Sequence, residues 1–289
     1  MVVCLLGIVV SCHKPTTIVP SLSPFGAPVR VNLIGYSGNS MEPFLSRDGG
    51  ILFFNNLNSL PENTNLHWST KVNDTTFQYQ GELNGVNTVY LEGVPTMDAQ
   101  GNFYFVSDRN YAQSLSSIYT STFSNGNISN ISLVKGISKD QVGWLNFDVE
   151  VDAPGNNLYF VDGRFDQNGG PYEANIALAT KTVSGFERAS NSSEILKNVN
   201  TSDLEYAACI SSDGLELYFT RVTAPLNSAS IPELLGCIRK NTSDSFGIPS
   251  KIESITGFCE APTISSDGKK LYYHKKENGI FVIFMIQKK

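Results

Sequence analysis

The 289-residue sequence predicts an all-β fold, a single closed five-bladed β-propeller. One observation is a short phrase of turn residues followed by aromatic residues, which recurs at 46–54, 100–105, 154–160, 211–219 and 265–273. A second is the spacing of the phrase, because its glycines lie 52, 54, 59 and 54 residues apart, at Gly49, Gly101, Gly155, Gly214 and Gly268. This period is typical of four-stranded propeller blades, and the chain shows no long amphipathic helical pattern.

Each copy of the phrase predicts a β-hairpin at the start of a blade. An apolar stretch reaches an Asp-Gly, Gln-Gly or Pro-Gly turn, where glycine readily takes a positive φ, and an aromatic run of high β propensity follows. Third strands are predicted at 65–71, 117–123, 175–181, 234–240 and 279–287. Fourth strands are predicted at 88–91, 131–134, 194–199 and 251–255. Four short strands in each unit make one blade.

The fifth unit has three predicted strands of its own, and the N-terminal region supplies the fourth. Residues 30–36 align with 251–258, and a Glu and a Pro follow in both places. We therefore expect residues 30–36 to form the outer strand of the last blade, because a strand from the chain start closes the ring and removes exposed sheet edges. The predicted propeller extends over 29–289.

The first residues predict export. Residues 2–10 are almost wholly apolar but too few to span a bilayer, which is typical of a signal-peptide core. Residues 9–12, Val-Val-Ser-Cys, resemble a bacterial lipobox, so we expect a signal peptide over 1–11 and a lipid on Cys12. The Pro-, Ser- and Thr-rich residues 12–28 would form a tether that holds the propeller in the periplasm or at the outer membrane. The alternative is an ordinary secretory signal and a secreted protein.

Composition narrows the classes of partner. A net charge of −6 and an isoelectric point near 5.1, without a basic cluster, argue against nucleic acid and against electrostatic attachment to anionic lipid. Membrane contact is then expected only through the lipid anchor, and the protein is expected to be a monomer. We interpret Cys209, Cys237 and Cys259 as small buried residues on strands, with a Cys209–Cys259 bridge as the alternative.

An acidic residue occurs near the start of each predicted inner strand: Glu42, Glu92, Asp148, Glu205 and Glu260. Inner strands line the channel of a propeller, so five carboxylates at one mouth would repel and raise each other's pKa values. Two arrangements remain open. Either the acids cap loops and pair across blades with the basic residues that follow the second strands, Arg109, Arg164, Arg221 and Lys275, or both groups form a ligand or metal site in the channel. No cofactor is expected apart from a divalent cation in this channel.

The repeat itself resembles a known family. Residues 260–273 are similar to the WD-like β-propeller repeat of TolB type, a proline and an apolar residue followed by Ser-x-Asp-Gly and a strand with an aromatic residue. Residues 42–54 and 208–219 are similar, with Ala208 in place of the proline, and Arg239 followed by 244–249 resembles the family's third-strand segment. The resemblance covers essentially the whole mature chain, although units two and three lack the Asp-Gly pair.

The resemblance implies an exported bacterial propeller that binds partners and catalyses nothing. The family's namesake binds lipoprotein and colicin partners in the periplasm, and its separate N-terminal α/β domain has no counterpart here. We therefore expect a lipid-anchored binding or scaffolding propeller of the cell envelope, with an envelope protein or a carbohydrate as partner. The alternative is a carbohydrate-active enzyme that uses two channel carboxylates as a glycosidase pair, since five-bladed propellers host several glycosidase families.

Overall fold

The computed structural model describes residues 22–58 and 64–289, and these residues form five β-sheets around a central channel. The strands are β1 (Val29–Arg30), β2 (Asn32–Ile34), β3 (Met41–Leu45), β4 (Ile51–Asn55), β5 (Leu66–Asn73), β6 (Thr76–Glu82), β7 (Glu92–Met97), β8 (Asn102–Ser107), β9 (Ile118–Ser124), β10 (Asn127–Leu133), β11 (Trp144–Val151), β12 (Asn157–Asp166), β13 (Gly169–Thr182), β14 (Gly185–Arg188), β15 (Leu204–Ile210), β16 (Glu216–Val222), β17 (Glu233–Ile238), β18 (Ser250–Lys251), β19 (Cys259–Ile264), β20 (Lys270–Glu277) and β21 (Ile280–Gln287). Two short helices, α1 (Tyr111–Ser114) and α2 (Ser192–Ile195), lie in connections.

The five predicted blades are confirmed. Each blade runs outward from its inner strand, in the orders β3-β4-β5-β6, β7-β8-β9-β10, β11-β12-β13-β14, β15-β16-β17-β18 and β19-β20-β21-β1. Buried aromatic and aliphatic side chains pack between neighbouring blades, with Phe53 and Phe103 in one cluster and Tyr159 and Phe219 in another. None of the helices in the described ranges is long and apolar enough to cross a bilayer.

The recurring phrase forms the hairpin between the first and second strands of a blade. In the last blade the Ser265 hydroxyl donates to Asp267 at 2.5 Å and accepts the backbone N–H of Lys270 at 2.9 Å. Asp267 accepts the N–H of Lys269, and Gly268 between them has a φ of +69°. The Ser-x-Asp-Gly pattern is therefore a self-capped turn in which the glycine takes the left-handed conformation.

Ring closure by the N-terminal segment is also confirmed, but with a shorter strand than predicted. Val29 pairs with Met285 and Arg30 with Phe284, which completes the last blade. Val31 is buried among side chains of blades five and one, so the chain crosses there to the first blade. Strand β2 then runs parallel to β6 as a fifth strand. Residues 32–36 therefore do not belong to the last blade.

Two predicted outer strands are wrong. The outer strand of the first blade is β6, reached from β5 by a tight turn in which Asn73 pairs with Thr76, and residues 88–91 instead connect two blades. Residues 194–199 overlap helix α2, and the outer strand of the third blade is β14. These segments were predicted as strands because they are apolar. Over so few residues the hydrophobic period does not distinguish a strand from a short helix or a connection.

The segment before β1 lies against the propeller. Phe25 is buried beside Tyr218, with ring centroids 6.0 Å apart, and the N–H of Gly26 donates to the Gln287 carbonyl at 2.7 Å. The part of the expected tether at 22–28 therefore packs on the last two blades. Cys12 and the expected signal peptide at 1–11 lie outside the described residues. Cys209, Cys237 and Cys259 are free and buried.

Candidate functional site

Every inner strand carries an irregularity where it lines the channel. The pairing register shifts at 41–44, 93–96, 146–149, 206–209 and 260–263. Four residues within these shifts have positive φ angles between 47° and 54°: Glu42, Val94, Ala207 and Ala261. A bulge of this kind re-aims the side chains on either side of it. The side chain of an acid before a bulge therefore points in a different direction from that of an acid within the bulge, and the two have different neighbours.

Two of the five predicted acids turn away from the channel. Glu205 and Glu92 have no exposed side-chain surface, and each forms an ion pair with an arginine of its own blade, Arg221 at 2.7 Å and Arg109 at 2.9 Å. The Thr201 hydroxyl also donates to Glu205, at 2.6 Å. These acids cap the start of their inner strands. The pairing of acids with arginines that the sequence left open therefore occurs for these two acids, but within one blade rather than across blades.

The third predicted arginine lies elsewhere. Arg164 forms a 2.6 Å ion pair with Glu173, and both side chains are more than two-fifths exposed. Arg164 therefore makes its ion pair at the surface, with an acid that sequence reasoning did not connect to it.

The other three acids come together around two further side chains, His274 and Tyr206. The Tyr206 hydroxyl donates to Glu260, and His274 Nε2 lies 3.1 Å from the other oxygen of Glu260. The backbone N–H of Glu42 donates to His274 Nδ1 at 3.1 Å. Asp148 accepts the N–H of Ala207 at 3.2 Å. The structure therefore brings Glu42, Asp148 and Glu260 into one cluster.

Two of these carboxyl groups hold a proton at neutral pH. Burial raises the pKa of Asp148 to about 8, and the charge of Glu260 adds to the effect. Burial likewise raises the pKa of Glu42 to about 8, and the charge of Glu260 adds to the effect, against the side-chain hydrogen bond from Asn58, which lowers it. Only 4% of Asp148 and 8% of Glu42 is exposed, so water does little to stabilise the charged forms.

His274 carries its proton on Nε2. Burial opposes a second proton, whereas the hydrogen bond to Glu260 and the charges of Glu42 and Glu260 raise the pKa of His274. The Glu42 contribution needs an ionised Glu42, which is protonated at neutral pH, and Nδ1 already accepts a backbone N–H. A proton on Nδ1 would point the ring N–H at the backbone N–H of Glu42, so two hydrogen-bond donors would face each other without an acceptor. We therefore assign a neutral ring that donates from Nε2 to Glu260.

The channel itself is narrow. The cavity between the bulges has a volume of about 30 Å³, close to that of one water molecule, and it contains Glu42, Asp148 and Glu150 in its walls. Arg47 closes the lower mouth, where the inner strands end: it bonds Glu150 at 3.0 Å and the Met97 carbonyl at 3.1 Å. The propeller is therefore plugged along its axis.

An accessible cavity of about 340 Å³ opens beside the upper mouth, where the inner strands begin. Its walls include the rings of Phe147, Tyr206 and Phe258 and the side chain of Leu226, and Glu260 is the single carboxyl group in its lining. The lining contains no lysine or arginine. Phe147 and Tyr206 pack with ring centroids 5.9 Å apart.

Sequence reasoning missed His274, Tyr206 and this cavity. Extending the predicted Asp-Gly hairpin of the last blade sets Glu260 opposite Lys275, and a one-residue register shift between 260 and 263 places it opposite His274 instead, so the hairpin register alone does not predict this contact. No group of three or more His, Cys, Asp or Glu side chains in the described ranges is arranged to hold a metal ion. The divalent cation expected in the channel therefore finds no preformed set of such ligands there.

Comparison with known proteins shows the fold. No family model matches the sequence, and no curated protein sequence matches it either. A glycoside hydrolase structure superposes with a TM-score of 0.58 at 10% identity, covering 92% of each chain. A TolB-like protein from Agrobacterium tumefaciens superposes with a TM-score of 0.52 at 11% identity, covering 89% of this chain and 77% of that one.

TolB from Acinetobacter baumannii superposes with a TM-score of 0.46 at 14% identity, covering 87% of this chain. This chain spans about half of that protein, 55% of its length. At these identities the similarity is one of fold, a β-propeller, and it does not assign a function.

Proposed function

We propose that this chain is a non-enzymatic binding propeller of the bacterial cell envelope, and that the 340 Å³ cavity at the upper mouth is its ligand site. The observation that carries the proposal is the distribution of carboxyl groups. One carboxyl group, Glu260, lines the larger cavity, whereas Glu42 and Asp148 are buried in the walls of the narrow channel. The cavity falls in the size range of small-ligand sites, and its lining is mostly apolar with a few polar groups.

This distribution disfavours glycoside hydrolysis. Most glycosidases need two carboxyl groups that flank the scissile bond, one on each side of the sugar. A channel of about 30 Å³ cannot admit a sugar ring to Asp148 and Glu42. A single accessible carboxylate is suited to recognising a ligand rather than to acid and base catalysis on it.

The envelope location is supported by the sequence. The lipobox-like residues 9–12 and the TolB-type repeat both favour an exported lipoprotein, and a TolB-like protein shares the fold. A three-chain lipid on Cys12 would anchor an acidic domain stably, which a single acyl chain would not. Its partner would be an envelope protein or a carbohydrate.

The proposal is tested by blocking the cavity. Immobilised wild-type protein, Leu226→Trp and Val183→Trp would be compared for capture of proteins and glycans from envelope extract. Leu226 lines the cavity, whereas Val183 is an exposed turn residue, so the second variant is the matched control. We expect one or more partners to be retained by wild type and Val183→Trp and lost by Leu226→Trp. Equal capture by all three proteins would contradict the proposal.

A second candidate function has its own supporting observation. Glu42 and Asp148 are protonated at neutral pH close to Glu260, and an acid beside a carboxylate is the pairing that glycosidases use. Reducing-sugar release from a panel of envelope and plant polysaccharides would be measured for wild type and Asp148→Asn. Hydrolysis by wild type that Asp148→Asn abolishes would replace the binding proposal, and no hydrolysis by either protein would support it.

A further inference from the structure

The Glu260 carboxylate has no lysine or arginine partner within the described part of the chain. Its hydrogen-bond donors are the Tyr206 hydroxyl and the neutral His274 ring. Burial, together with the nearby carboxylates, raises the pKa of Tyr206 well above its usual value, so that group stays an O–H donor. Only 13% of the Glu260 side chain is exposed. Charges this deeply buried are ordinarily paired, so the missing partner requires an explanation.

The fourth blade shows what a paired acid looks like in this fold. Glu205 lies directly opposite Arg221 on the neighbouring strand, and the two form an ion pair at 2.7 Å. Glu260 lies directly opposite His274. The next residue, Lys275, is placed over the ring of Phe284 instead. Lys275 takes the place of Arg221, and Glu260 takes that of Tyr206 rather than that of Glu205, so the strand opposite Glu260 presents His274 to it and no lysine or arginine.

The surroundings of Glu260 fit an organic cation. Three aromatic rings, those of Phe147, Tyr206 and Phe258, line the same cavity, and aromatic faces attract ammonium and guanidinium groups. A metal ion would need further ligands, and the described residues provide no group of three that could hold one. The remaining wall includes Pro171 and Leu226, which suit an apolar stem.

We propose that the cavity binds a protonated amine or a guanidinium group on an apolar stem, with Glu260 as its counter-ion and the aromatic rings as its walls. This inference rests on the proposed function and specifies the ligand class. The same chemistry occurs in a free small amine and in a lysine side chain of a protein partner. A volume of about 340 Å³ accommodates either.

The test compares charged and neutral probes of one shape. Binding of 2-phenylethylammonium and of 2-phenylethanol would be measured at pH 7 by NMR titration of the full propeller. We expect the ammonium to bind about tenfold to a hundredfold more tightly, because a hydrogen bond to a charged group is worth more than one between neutral groups. A Gly-Lys-Gly amide in a parallel titration distinguishes the sources: binding identifies a partner's side chain, and its absence identifies a small amine.

Two variants test whether the preference for the ammonium probe arises in this cavity. Glu260→Gln should remove the preference for the ammonium probe, while Glu253→Gln, which removes an exposed acid outside the cavity, should keep it. If Glu260→Gln does not fold, Phe258→Ala should weaken ammonium binding severalfold by removing one aromatic wall. Equal affinity for both probes, or a preference that survives in Glu260→Gln, would overturn the inference. The capture experiment with Leu226→Trp would decide separately whether the cavity binds a partner at all.

Discussion

Replacing Asp148 by Asn should change how the stability of the propeller depends on pH. The pKa of Asp148 is raised from an ordinary value of 3.8 to about 8, chiefly by burial. Between these two values the folded protein keeps a proton that the unfolded chain has released. Stability contributed by the protonated form is therefore complete below about pH 4 and falls as the pH rises toward 8.

The size of the effect follows from the proton balance. One proton of difference lowers the free energy of unfolding by at most about 1.4 kcal/mol per pH unit, so the loss between pH 5 and pH 7 is about 3 kcal/mol. An asparagine at this position does not titrate, so the variant would escape this loss. Glu42 titrates in both proteins, and because burial is the main cause of its raised pKa, most of its contribution cancels when the two are compared; the part due to the charge of Asp148 does not.

Urea unfolding at pH 5, 6, 7 and 8 and constant ionic strength would measure the difference. The advantage of Asp148→Asn over wild type should grow by about 3 kcal/mol from pH 5 to pH 7 and level off above pH 8. Asp140→Asn is the matched control, because Asp140 is exposed. The same pH dependence in wild type and Asp148→Asn would show that Asp148 is ionised in the folded state and would refute the reasoning.

Three further predictions follow from the ion pairs, the ring closure and the export signal. Glu205→Gln should lower the free energy of unfolding by about 3 kcal/mol, because Arg221 would lose a buried partner, whereas Glu233→Gln in the exposed pair with Lys251 should cost less than about 1 kcal/mol. Equal losses would contradict the burial argument. Deletion through Tyr36 should expose the edge of β21 and cause aggregation or a much lower Tm. Deletion through residue 21 keeps Phe25 and β1, so this variant should melt like the full chain. Similar Tm values for the two deletion variants would refute closure by β1. Wild-type protein expressed in a bacterium should incorporate radioactive palmitate and partition into detergent, and Cys12→Ala should do neither; a wild type found wholly in the soluble periplasmic fraction would exclude the anchor.

The propeller could be predicted because its signal is local and repeated. The Ser-x-Asp-Gly turn closes on itself through Ser265 and Asp267, so it specifies a hairpin wherever it occurs. The outer strands were harder to place, since β18 has two residues and β14 has four, too few for a period to be read. Closure by the N-terminal segment was found by alignment, whereas its crossing at Val31 depends on packing between two blades.

The site could be predicted only in part. The acids near the inner-strand starts were visible, but Glu205 lies before the bulge of its strand and Asp148 within the bulge of its own, and successive strand residues face opposite sides. A difference of three positions relative to the bulge therefore separates an acid with its own arginine from an acid in the channel. The cavity was not visible, because Phe147, Leu226 and Phe258 come from separate segments that only the ring brings together.

The central claim is that the cavity beside Glu260 holds a ligand, and a crystal structure of the propeller soaked with 2-phenylethylammonium tests it most directly. The account predicts density for the probe between Phe147 and Phe258, with its nitrogen about 2.8 Å from a Glu260 oxygen, as in charge-assisted hydrogen bonds. An empty cavity, or a probe whose nitrogen points away from Glu260, would contradict it.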